Sequence, residues 1–99
     1  MLGERIKGLR IAFNYSQVNL ADKLGVTKQS ISNWENGNII PSVEMLLKIA
    51  NVFSVTTDYL LGEDDRRHLD VDGLTPEQMA LVQRMVKYLQ LLNEQQKKK

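Results

Sequence analysis

SQVNLADKLGVTKQSISNWENG, residues Ser16–Gly37, decides the fold. Ser16 can cap a helix whose apolar positions Leu20, Ala21 and Leu24 run to Gly25, a residue suited to the left-handed conformation that ends helices. After Val26, Thr27 can cap a second helix over Lys28–Glu35, with Ile31 and Trp34 three apart on its inner face and Asn36-Gly37 as its stop. Only Gly25-Val26-Thr27 joins the two, so a short glycine turn holds them at a steep angle and leaves the outer face of the second one polar.

On either side the pattern remains helical. Leu2, Ile6, Leu9 and Phe13, spaced by four, three and four, predict an amphipathic first helix. Asn38-Ile39-Ile40-Pro41 reads as a loop. Pro41-Ser42 opens a fourth helix with Val43, Leu46, Leu47, Ile49, Ala50 and Phe53 expected on the core side. A short helix capped by Thr56 or Thr57 stops at Gly62. Residues 63–73 combine charge, His68 and Gly73 with little periodicity and read as a linker. Thr75-Pro76-Glu77-Gln78 is a capping box with proline at the first helical position, and the helix it starts is expected to run to about Gln95. Its seam is Met79, Val82, Met85, Val86, Leu89 and Leu92, widened by Leu81, Tyr88 and Leu91, and one helix cannot bury so wide a face alone. The expected organisation is therefore an all-α domain over residues 1–62, a linker over 63–73, and a C-terminal helix over 74–99 that serves as a dimerisation element with a basic tail.

Composition limits the chemistry. The 99 residues contain no cysteine and one histidine, so thiolate metal sites, disulfides, cysteine nucleophiles and a His-based triad are not expected. No metal site, cofactor or catalytic residue is expected, and an enzyme is disfavoured. The charged N-terminus does not resemble a signal peptide, and the longest mostly apolar stretch, Leu46 to Val55, is broken by Lys48 and Asn51; a soluble, cytoplasmic protein without a membrane partner is expected. The net charge is +1, with six basic against five acidic residues in 1–62, two against five in 63–73 and five against two in 74–99.

The pattern Ser16-Gln17, Leu20-Ala21, Leu24-Gly25-Val26-Thr27, Ser30-Ile31-Ser32, Trp34-Glu35-Asn36-Gly37, with Pro41 beyond it, resembles the Cro/cI-type, or xenobiotic-response-element, helix-turn-helix family. The resemblance covers roughly residues 3–62. It implies a five-helix, lambda-repressor-like domain of prokaryotic or phage origin whose third helix enters the major groove of double-stranded DNA. It further implies a homodimeric transcriptional repressor acting on a palindromic operator. Lys28, Gln29, Ser32 and Asn33 face away from Ile31 and Trp34 and are the base-reading candidates, since Gln and Asn can bond adenine with both ends of the amide. Gln17 matches the family position that bonds a phosphate, at a helix N-terminus that favours anions. Thr27, Ser30, Asn36 and Asn38 are further backbone candidates. Arg10 and Glu35 correspond to a pair that bridges the first and third helices in related domains. The segment 26–38 carries only Lys28 against Glu35, so basic residues elsewhere, such as Lys7 or Lys23, are expected to add attraction for DNA. The competing expectation is an antitoxin- or anti-repressor-like module whose C-terminal helix binds another protein.

Overall fold

The computed structural model describes residues 1–63 and 68–97. Six α-helices make up the described residues: α1 Leu2–Ala12, α2 Gln17–Leu24, α3 Lys28–Glu35, α4 Val43–Phe53, α5 Thr57–Leu61 and α6 Pro76–Lys97. Side-chain oxygens fix four of the first five starts. Ser16, Thr27, Ser42 and Thr56 each accept a hydrogen bond from the backbone N–H three residues on, at 3.0–3.1 Å, satisfying a donor that a bare helix end leaves without a partner. At Ser16 the bond is reciprocated, because its own N–H donates to Asn19 Oδ1. The turn between α2 and α3 needs Gly25 at φ 72°, where the N–H groups of Gly25 and Val26 donate to the Asp22 and Ala21 carbonyls of α2. Ser54 also adopts the left-handed region to end α4, at φ 54°, in place of the usual glycine.

Ile6, Leu20, Leu24, Ile31, Trp34, Ile49, Phe53 and Leu60 converge from all five short helices into one buried core. α1 crosses α3, α2 packs on α3 and α4, and α5 joins α4 to α1. Gly3 permits the closest approach. A Cβ built on it would lie 2.6 Å from the Trp34 carbonyl oxygen and closer still to that of Glu35, so the first turn of α1 rests directly on the last carbonyls of α3.

Two expectations about packing are corrected. Val43 and Leu47 do not face the core: α4 turns Leu46, Ile49, Ala50 and Phe53 inward and leaves the other two exposed. Apolar residues at 43, 46, 47, 49, 50 and 53 wrap around more of the helix than α2 and α5 can cover. Phe13 lies beyond the end of α1 and is partly exposed, with one edge packed on Phe53 at a centroid distance of 5.0 Å.

Asp64, Asp65, Arg66, Arg67, Lys98 and Lys99, within the expected linker and basic tail, lie outside the described residues. Beyond that gap the chain is tied back to the helical body by Asp70 N–H donating to the Ser54 carbonyl at 3.1 Å. Thr75 and Gln78 exchange backbone-to-side-chain bonds of 3.0 and 3.1 Å at the start of α6. α6 runs two residues beyond the expected end and has no buried residue. Leu69 and Val71 form a shallow groove with Met79, Val82 and Val86 on one side of it. Leu81, Met85, Tyr88 and Leu92 project along a separate arc, centred about 120° round the helix from those three, and are exposed. No helix among the described residues is long and apolar enough to cross a membrane.

Candidate nucleic-acid interface

α3 carries two opposed chemistries on eight residues. Ile31 and Trp34 are buried, which fixes the rotation of the helix and turns Lys28, Gln29, Ser32 and Asn33 outward. Lys28 and Gln29 are exposed, while Ser32 and Asn33, one turn further, are half-buried. Gln29 Nε2 donates to Asn33 Oδ1 at 3.2 Å, so the two amides form a coupled pair along one face. That bond leaves the Gln29 carbonyl oxygen and the Asn33 amide hydrogens outward, an acceptor and donors of the kind that base edges require. Asn36 Nδ2 lies 3.4 Å from Ser32 Oγ and extends the polar row.

Thr27 and Ser30 are brought together at the start of α3, their hydroxyls 3.1 Å apart, and Thr27 Oγ1 also accepts from the Ser30 N–H. Asn38 leaves the other end, where its N–H donates to the Asn33 carbonyl at 2.9 Å. Gln17 takes part in an arrangement that its residue type alone does not reveal. Its Nε2 donates to Glu35 Oε1 at 3.2 Å, so the N-terminus of α2 is tied to the C-terminus of α3.

Glu35 is the centre of that link. Arg10 Nε meets Glu35 Oε2 at 2.7 Å and its terminal nitrogen meets Oε1 at 3.1 Å, a bidentate pair, while the remaining guanidinium nitrogen donates to the Tyr15 carbonyl at 2.9 Å. The side chains retain 12% and 2% of their exposure. The hydrogen bond it donates to Glu35 raises the Arg10 pKa above its ordinary value; burial opposes the rise and the carboxylate charge adds to it. The guanidinium therefore stays charged at any working pH. α1, the turn before α2, α2 and α3 are thus joined through the Arg10–Glu35 pair, which sets the outward row of α3 in a fixed orientation relative to the start of α2.

Gly3 is the position whose role the residue pattern did not disclose, because helical periodicity reports which face is apolar but not how closely two backbones approach. Lys23 lies with its ammonium 4.9 Å from the centroid of the Tyr15 ring, and Lys7 is exposed on α1. No cluster of His, Asp and Glu among the described residues could hold a metal ion.

A polar helix presented by a capped glycine turn and braced by two others is the architecture of a DNA-reading module. A helix-turn-helix family model matches residues 6–60. The SPbeta prophage-derived HTH-type transcriptional regulator YonR of Bacillus subtilis is 34% identical over 98 residues, which cover 99% of this chain and 87% of that protein. The cryptic phage CTXphi transcriptional repressor RstR of Vibrio cholerae is 33% identical over 94 residues, 95% of this chain and 76% of its own. Among solved structures, the P22 c2 repressor in complex with a synthetic operator superposes with a TM-score of 0.62 at 34% identity, over 65% of this chain and 97% of that one. SinR in its complex with SinI superposes with a TM-score of 0.61 at 30% identity, over 97% of this chain and 95% of that one. The chain belongs to the helix-turn-helix family of DNA-binding transcriptional regulators.

Proposed function

We propose that the protein is a dimeric repressor that places α3 of each copy in successive major grooves of a palindromic operator. The observation that carries this reading is the coupled Gln29–Asn33 pair, held outward on a helix whose inner side is locked by Ile31, Trp34 and Glu35. Gln29 and Asn33 read bases, with Lys28 and Ser32 beside them. Gln17, Thr27, Ser30, Asn36 and Asn38 hold the phosphate backbone and set the register. The P22 c2 repressor, similar to this chain over 65% of its length, is seen on a synthetic operator, which supports the placement.

Dimerisation through α6 rests on exposed surface. The chain presents 7378 Å², against about 5,700 Å² expected for a compact monomer of this mass. The excess is about twice the roughly 800 Å² that a standard interface removes from each partner, so α6 has ample surface for one. Residues 1–62 then form the reading unit, 63–73 the connection and 74–99 the pairing element. Similarity to SinR extends over α6, and SinR forms a complex with SinI. A different protein on α6 is thus the alternative to distinguish from a second copy. Selection of bound sequences from random DNA tests the proposal. Two inverted half-sites with centres one helical turn apart, roughly 34–36 Å, are expected. A motif without symmetry would reject the dimeric arrangement, and no enriched motif would reject sequence reading.

A further inference from the structure

Four aliphatic side chains lie exposed where the chain leaves the recognition helix and enters α4. Ile39, Ile40, Val43 and Leu47 retain 54%, 76%, 74% and 58% of their exposure. The Ile39 N–H bonds back to the Asn33 carbonyl of α3 at 3.3 Å, so the stripe begins at the end of the reading surface itself. Glu44 and Lys48 flank it on one side, one residue beyond Val43 and Leu47 respectively. A stripe of this kind, with an acidic group among its flanks, does not suit phosphates.

We propose that this stripe is a contact between two copies of the chain on adjoining half-sites, made by α4 against α4 in antiparallel fashion. A two-fold axis midway between Val43 and Leu47 sets Val43 of one copy on Leu47 of the other, and the same operation sets Glu44 beside Lys48 in both directions. An antiparallel pair brings like flanks together, and this flank carries one charge of each sign, so it is complementary to itself. A parallel arrangement would set this flank against the core side of the other helix and lose that match. Four residues fall far short of the roughly 20–30 a side of a stable interface. The contact therefore closes only when DNA has already placed two copies side by side, and it acts on the cooperativity of operator occupancy rather than on association in solution. This rests on the reading of the protein as a dimer on a palindromic site.

The test uses the full chain and two duplexes: the palindrome recovered by selection, and the same duplex with one half-site scrambled. The quantity is the ratio of the two affinities. Glu44→Lys and Lys48→Glu are each expected to lower that ratio by about fivefold or more without changing affinity for the scrambled duplex. An equimolar mixture of the two variants, whose flanks are opposite in charge, is expected to return the ratio most of the way to the parent value. Leu47→Ser lowers the ratio alone, and its exposure leaves the fold intact. An unchanged ratio in all three variants, or a mixture no better than its components, overturns the contact. Equal losses of Leu47→Ser on both duplexes place the stripe on DNA and overturn it too. If the parent fails to bind the scrambled duplex above random DNA, it is half-site reading by α3 that has failed, not the α4 contact.

Discussion

The guanidinium of Arg10 grips both oxygens of Glu35, at 2.7 and 3.1 Å, across 25 residues of sequence. Removing either partner leaves a charge in a place where water reaches little, which costs about 3–5 kcal/mol. Arg10→Met leaves the Glu35 carboxylate with Gln17 as its remaining side-chain donor, and Glu35→Ala leaves the guanidinium with the Tyr15 carbonyl. Each variant is expected to lose stability in denaturant titration, and the double variant to lose less than the sum by about 1–3 kcal/mol. Additive losses would show that the pair is not coupled.

Two glycines on α1 should respond oppositely to the same change. Gly3→Ala forces a methyl group onto the Trp34 and Glu35 carbonyls, backbone atoms that cannot rotate away, so α1 must lift off α3; about 1–3 kcal/mol is expected to be lost. Gly8 has open space around it within the same helix, and Gly8→Ala should stabilise by about 0.5–1 kcal/mol through helix propensity. Thermal melting of both variants checks the pair of signs. Two shifts in the same direction would contradict the close crossing.

The difference between these glycines marks where the amino-acid pattern stops being informative. Caps and stops are local chemistry: Ser16, Thr27, Gly25 and Gly62 could be assigned from residue type and spacing because a helix end imposes the same requirement wherever it occurs. Ile31 and Trp34 were legible for the same reason, since their three-residue spacing defines the inner face of α3. Val43 and Leu47 were not. Six apolar residues on one helix exceed what its neighbours cover, and which arc stays bare depends on where α2 and α5 lie. The bond from Gln17 to Glu35 joins residues 18 apart and depends on the angle of the glycine turn, which residue types alone do not give. On α6 the seam appeared as one broad face. The groove with Leu69 and Val71 divides it into two, because the segment before the helix folds along one side.

Met85 and Leu89 belong to the exposed part of that seam. Met85→Asp combined with Leu89→Asp is expected to give a monomer with the helix content of residues 1–62 retained. Operator affinity should then fall steeply, because linking two half-site contacts through one body gives the second an effective concentration on the order of millimolar. Sedimentation equilibrium beside a DNA titration measures both quantities. A variant that stays dimeric and binds normally would move dimerisation to residues 1–62 and leave α6 to another partner.

The central claim, that α3 specifies the bound sequence, is tested most directly by changing what the helix reads and asking whether the site changes with it. Glutamine pairs with adenine, whereas arginine pairs with both guanine acceptors in the major groove, and a good bidentate contact discriminates by about 1–3 kcal/mol. Selection from random DNA with the parent and with Gln29→Arg should yield two palindromes of equal spacing that differ at one base pair in each half-site, from A·T to G·C. Identical palindromes from the two proteins would contradict the account and place sequence reading outside Gln29 and the coupled pair it forms with Asn33.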